Sequence, residues 1–187
     1  MSWMRLLLTK SKMHGNPNLK RAGTFGLSMV AYWLMKSEPH VYPYEQLVKD
    51  GSTHWDGVRN YQARNLMRDE MKMGDLVLFY HSNFKPPHIV GIARVCQEGY
   101  PDFTAQDPNS KYFDEKATPD NPRWMMVDIE PVMELPQIIP LEDIRNNPEC
   151  EGMLLIRKGQ RLSVQPVEEE HFLAVIRMVG VELNDLS

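Results

Sequence analysis

From residue 31 onward, apolar positions recur in short bursts whose spacing predicts a series of short strands and helices. Residues 32–36 read as a strand, and the Ser37-Glu38-Pro39 turn that follows cannot extend it. Residues 44–49 predict a short helix closed by Asp50 and Gly51. Over residues 58–71, Tyr61, Leu66, Met67 and Met71 fall at helical spacing, and the pattern stops at Gly74-Asp75. Leu76–His81 is a nearly unbroken apolar run, as expected of a buried strand; residues 89–95 predict another beyond Pro86-Pro87. Residues 97–123 form a polar loop rich in Pro, Asp and Asn, and loops of that length are often functional or mobile. Beyond it, residues 124–132 alternate as a strand. Leu141–Asn146 predicts a short helix, and residues 154–157 and 162–165 predict short strands. Pro166 stands where a last helix is expected to begin, with Glu168, Glu169 and Glu170 in its first turn complementing the helix dipole. Phe172, Val175, Ile176 and Val179 share its apolar face.

This order lacks a regular strand–helix–strand repeat. It predicts an α+β fold, a small, partly closed mixed β-barrel decorated with helices. Residues 1–28 have no sustained period and are expected to be a disordered tail or an upstream extension with Met29 as the working start. Their apolar run, Met4 to Leu8, is too short for a signal-peptide core. The folded domain is expected over residues 29–187.

Composition narrows the function. A chain of 187 residues suits one domain and buries enough core to need neither disulfide nor metal. No window approaches eighteen uninterrupted apolar residues, so no membrane span is expected. Cys96 and Cys150 lack CxxC spacing, and the six histidines form no metal-binding pattern, so reduced thiols and no metal or cofactor are expected. A monomer in the cytoplasm, nucleoid-associated in a bacterium or nuclear in a eukaryote, is the default. Residues 1–28 hold five basic and no acidic residues, which leaves 16 basic against 25 acidic in residues 29–187, a charge of about −9. Proteins that track phosphates generally are basic. A nucleic-acid ligand would therefore require a local basic mouth and a specific pocket.

Three segments exceed generic patterning: Trp33-Leu34-Met35-Lys36-Ser37-Glu38-Pro39 with Tyr42, the run Trp55-Asp56-Gly57-Val58-Arg59-Asn60-Tyr61-Gln62-Ala63-Arg64-Asn65, and Phe79-Tyr80-His81-Ser82. With Asp120-Asn121-Pro122-Arg123-Trp124, Ile139-Pro140-Leu141 and Gln160-Arg161-Leu162-Ser163-Val164-Gln165-Pro166 in order, they closely resemble the EVE domain of the PUA-like superfamily. The likeness spans roughly residues 32–179. It implies a PUA-like fold related to the YTH readers of methylated RNA, and a pocket for a modified base, a modified cytosine in DNA before RNA.

A base held outside its stack needs an aromatic face and polar partners for its edge. Trp55 can offer the first or anchor the core. Asn60 can bond a base edge or cap a helix. Arg64, sharing a helix face with Asn60, can meet a phosphate or stay a surface charge, and Tyr61 and Asn65 flank them. Lys36, Ser37 and Glu38 end one strand and Tyr80, His81 and Ser82 another; together they can form a rim. Trp124 can cover the pocket or pack inside, and Tyr100 and Tyr112 can close a lid. Two other classes remain open. An enzyme could use His81, Ser82 and Glu38 as base, nucleophile and orienter, although no nucleophile elbow, phosphate loop or metal spacing accompanies them. The acidic balance would also suit an interaction scaffold.

Overall fold

The computed structural model describes residues 30–186; the expectation for residues 1–28 lies outside the described residues. Strands β1 (Tyr32–Ser37), β2 (Thr53–His54), β3 (Leu76–His81), β4 (His88–Pro101), β5 (Met125–Pro140) and β6 (Val164–Val167) form one mixed sheet in the order β2-β5-β4-β3-β1-β6. Helices α1 (Tyr44–Asp50), α2 (Tyr61–Asn65), α3 (Leu141–Asn146) and α4 (Glu169–Arg177) lie on its two faces. The architecture is α+β, as expected, but the sheet does not close: β2 and β6 remain its edges. Repeated register shifts between β4 and β5 bend this long ribbon instead.

Successive side chains of the central strands divide between two cores. Tyr32, Leu34, Leu76, Leu78 and Tyr80 join the α4 residues Phe172, Val175 and Ile176. Trp33, Met35, Val77 and Phe79 meet Tyr44 and Leu47 of α1 and Ala63 of α2. A strand covered on both faces needs no polar alternation, which explains the unbroken apolar run of β3. Buried Asp75 ties the start of β1 to the turn before β3, accepting bonds from the Ala31 amide (2.9 Å), the Trp33 indole (2.9 Å) and the Lys72 amide (2.8 Å). On the other face, the Tyr44 hydroxyl donates to the Ile92 carbonyl at 2.6 Å. Its ring covers Gly91, where an added Cβ would meet it at 2.5 Å.

Several local expectations change. β4 and β5 run on to Pro101 and Pro140, so the loop between them shrinks to residues 102–124. Polar Gln97 and Glu98 hid the extension of β4, which pairs with the first residues of β5, while the far half of β5 pairs back onto the start of β4. Residues 58–71 are not one helix, because Asn60 starts α2 late and a wide π turn, Leu66–Glu70, follows it. Residues 154–157 form a 3-10 turn, Leu154–Ile156, rather than a strand. Pro166 sits inside β6 opposite Trp33, where an edge strand tolerates the missing N–H, and α4 starts only at Glu169.

Candidate functional site

The parallel pairing of β1 and β3 sets Lys36 beside Tyr80 and Ser37 beside His81, so the two sequence segments end together. The Ser82 amide and hydroxyl both donate to the Ser37 carbonyl, at 2.7 and 3.1 Å. The Ser37 hydroxyl donates to the Tyr42 carbonyl at 2.6 Å. Asn83, in the left-handed region at φ 52°, turns the chain there and donates from its amide to Glu38 at 2.6 Å; His40 stands 3.1 Å from the same carboxylate. His81 accepts the Tyr44 amide through Nε2 at 3.3 Å. Burial, and then the neighbouring His88, lower the His81 pKa and favour that neutral acceptor. The three groups considered for catalysis are thus each engaged elsewhere and form no relay.

Five rings run edge-to-face from the core to the surface: Trp55, Phe79, His81, His88 and Phe84, with centroids 5.2 to 5.7 Å apart. Trp55, at 9% exposure, packs its indole against Phe79, and Phe84 ends the row at 49% exposure.

The Trp55–Asn65 segment grips the long loop. Gly57, at φ +73°, donates its N–H to Asp102 at 3.1 Å and lies under the Tyr112 ring, which a Cβ would meet at 2.4 Å. The Arg59 guanidinium lies between the rings of Tyr112 and Trp124, 5.5 and 5.2 Å from their centroids. It donates to the Tyr112 carbonyl and pairs with buried Asp102 at 2.7 Å. Burial alone would raise the Asp102 pKa, but hydrogen bonds from Arg59, Thr104 and Gly57 outweigh it and hold the carboxyl below its ordinary value. Tyr61 stacks on Trp124 at 4.9 Å and receives Arg123 at its hydroxyl. Arg64 covers Tyr61 and donates to the Arg123 carbonyl at 2.6 Å, while Asn65 accepts from Arg64 at 2.8 Å. The Trp124 indole donates to Asp114 at 2.7 Å. Asn60 caps α2, accepting from the Gln62 and Ala63 amides at 2.9 and 3.1 Å. Tyr112 is therefore an anchor rather than a lid, and Tyr100 belongs to β4, bonded to Asp128.

A hollow of about 440 Å³ opens beside this stack, bounded by Arg59, Lys111, Tyr112 and Phe113. The Lys111 ammonium lies 4.7 Å from the centroid of the Tyr112 ring, and its pKa is raised, first by Tyr112 and least by Asp56 and Glu38. A second cleft, of about 360 Å³, receives Lys36, Tyr80 and Ser82 on one side. Arg145, Arg157, Lys158 and Arg161 line the other, with no carboxylate in the wall. Neither hollow is lined by Trp55. Sequence reasoning missed Asp102, Lys111 and the four cations of the far wall. Arg145 stands on α3, and the other three fall within residues 157–161, a basic run that, with Gln160-Arg161 inside a motif, could have pointed there.

Among the described residues, Cys96 and Cys150 are free thiols, and no group of three or more His, Cys, Asp and Glu could hold a metal ion. No helix among them is long and apolar enough to cross a membrane.

An open mixed sheet, helices on both faces and residues gathered at the ends of β1 and β3 define a PUA-like α+β domain. The EVE domain model matches residues 31–178, and the chain belongs to that family. Human thymocyte nuclear protein 1 is 37% identical over 170 residues, covering 81% of this chain and 75% of its own. A Pseudomonas putida protein of solved structure is 46% identical, with a TM-score of 0.76, covering 81% of this chain and all 100% of its own. The human THYN1 protein, solved in complex with 5-methylcytosine-containing DNA, is 38% identical with a TM-score of 0.74, covering 81% of this chain and 99% of its own.

Proposed function

We propose that the chain is a non-catalytic, monomeric DNA-binding module that holds one modified cytosine, turned out of its stack, at the rim next to Trp55. The parallel pairing of β1 with β3, which sets Ser37 beside His81 and brings Glu38 to Asn83, carries this reading, and the Glu38 charge also acts on Lys111 of the long loop. A cytosine edge presents an exocyclic amine, which a carboxylate accepts, and a carbonyl oxygen, which an ammonium serves. Ser37, Tyr80, His81 and Ser82 border the same strand ends. The relative solved with 5-methylcytosine-containing DNA supports the choice of DNA and of that base. Shape selection for one methyl group supplies only about 1–3 kcal/mol, so polar contacts with the edge must carry much of the selectivity.

The test titrates the full chain with short oligonucleotides holding cytosine, 5-methylcytosine or 5-hydroxymethylcytosine, in DNA and RNA versions. A modified cytosine in DNA should bind tightest. Asp56→Asn and Glu38→Gln should lower that preference while leaving the unfolding midpoint nearly unchanged. Equal affinity for all versions, or RNA above DNA, would overturn the reading.

A further inference from the structure

The cleft of about 360 Å³ adjoins the proposed base-reading rim: Tyr80 and Ser82 border both, and Asn83, which lines the cleft, bonds Glu38. Its wall collects Lys36, Arg145, Arg157, Lys158 and Arg161 in a chain whose formal charge is −4. Among the described residues, only Arg145 of these five pairs with a carboxylate, Glu142 at 3.6 Å, while Arg157 donates to the Gly152 carbonyl at 3.1 Å. Lys36, Lys158 and Arg161 have no carboxylate partner among the described residues. Lys36 is also half-buried, and burial lowers its pKa, so the fold holds a partly desolvated cation without an anion. Collecting like charges costs free energy through mutual repulsion, which a bound polyanion would relieve.

At the lip, the loop between β3 and β4 presents Phe84 at 49% exposure, braced edge-on by His88 at 5.4 Å. The flanking loop residues Ser82, Asn83 and Pro87 line the cleft itself. Cations that track a backbone, beside an exposed ring on which a base can stack, are the two components of single-strand recognition.

We infer that this cleft binds the sugar-phosphate backbone of an unpaired or locally opened strand, with Phe84 stacking on a base beside the one that is read. The inference rests on the nucleic-acid reading above and is carried by Lys158, Arg161 and Phe84, which lie outside that rim. Phosphate contacts position a strand without reading its sequence, so the cleft should contribute equally to modified and unmodified ligands.

The experiment compares the full chain with the double variant Lys158→Ala, Arg161→Ala and with Phe84→Ala. Each is titrated over a range of salt concentrations with a single-stranded DNA oligonucleotide carrying one 5-methylcytosine, with its unmodified twin, and with the duplex form. The double variant should bind both single strands about tenfold more weakly at low salt, keep the parent's preference between them, and show a salt slope shallower by about 1.4, or 0.7 for each lost phosphate contact. Phe84→Ala should weaken single-strand binding about tenfold, with little effect on the salt slope. An unchanged slope and affinity in the double variant, in a parent that still prefers 5-methylcytosine, would overturn the cleft assignment alone. A parent that binds all DNA without preference, yet loses slope in the double variant, would leave the cleft standing and remove the base reading. Equal effects of Phe84→Ala on single strand and duplex would overturn the stacking role.

Discussion

Two cationic regions of this protein resemble each other in composition and differ in what surrounds them. Around the long loop, Arg59, Arg64 and Arg123 lie over aromatic rings and donate to Asp102, Asp114 or backbone carbonyls. Lining the cleft, Lys158 and Arg161 have no carboxylate partner among the described residues. A cation whose donors are already engaged by its own chain helps hold the architecture. One left without a counter-charge in a concave wall keeps its capacity for an outside anion. Much of the Trp55–Asn65 motif, which looked most like a ligand site, thus secures the loop that supplies Lys111.

The largest expected effect follows from removing Arg59. Its partner Asp102 is buried, and an uncompensated buried carboxylate typically costs about 3–5 kcal/mol. Because the Arg59 side chain keeps some exposure, Arg59→Ala should lose an amount near the lower end, measured by urea unfolding. A loss below about 1 kcal/mol would mean that the stack is decoration. Gly57→Ala comes next: it forces a Cβ into the Tyr112 ring at a positive φ, for an expected loss of about 2 kcal/mol. By contrast, Lys158→Ala with Arg161→Ala should leave stability within about 0.5 kcal/mol, since both are exposed and break no internal pair. If that pair of changes destabilised as strongly as Arg59→Ala, the distinction between the two regions would fail.

The acid limb tests the same loop. Asp102 has a folded pKa below its unfolded value near 3.9, so its contribution is present above that value and is lost as pH falls through the lower folded one. Asp102→Asn should therefore flatten the fall in stability below about pH 4, read from midpoints in urea at stepped pH. An equally steep fall in the variant would assign the acid sensitivity to other carboxylates.

Much of the fold was legible because apolar spacing reports burial. The β1 and β3 runs, α1, α3 and the apolar face of α4 all follow from it. β2 is two residues long and carries no period, and the outer part of β4, with Gln97, Glu98 and Gly99, is fixed by pairing to β5 rather than by burial. Of the site, Lys36, Tyr80 and Ser82 were legible as strand ends, and they do meet in one cleft. Trp55, Asn60 and Trp124 each allowed two roles, and sequence cannot choose between them, since an indole or an amide suits a pocket and a core equally. Arg145 was invisible because only tertiary structure brings α3 to the same cleft as Lys36, whereas Arg157 and Lys158 stand beside the Gln160-Arg161 motif.

Lys36 gives a similarly small stability effect and the sharpest test, because it lines the cleft from β1. Folding lowers its pKa, so the folded chain holds the proton less tightly than the unfolded one does. Its charge therefore costs stability below the lowered folded value, and the cost is relieved only as pH rises from there toward the unfolded value near 10.4. Lys36→Met keeps the apolar stem and removes the charge, and should stabilise the fold by about 0.5 kcal/mol, raising the midpoint by about 1–2 °C. The same variant should bind modified and unmodified single strands more weakly by one common factor, with a salt slope shallower by about 0.7. Higher stability joined to weaker binding is the signature of a charge retained for a ligand. A variant that lost stability, or that bound DNA as tightly as the parent, would place Lys36 with the internally satisfied cations of the loop.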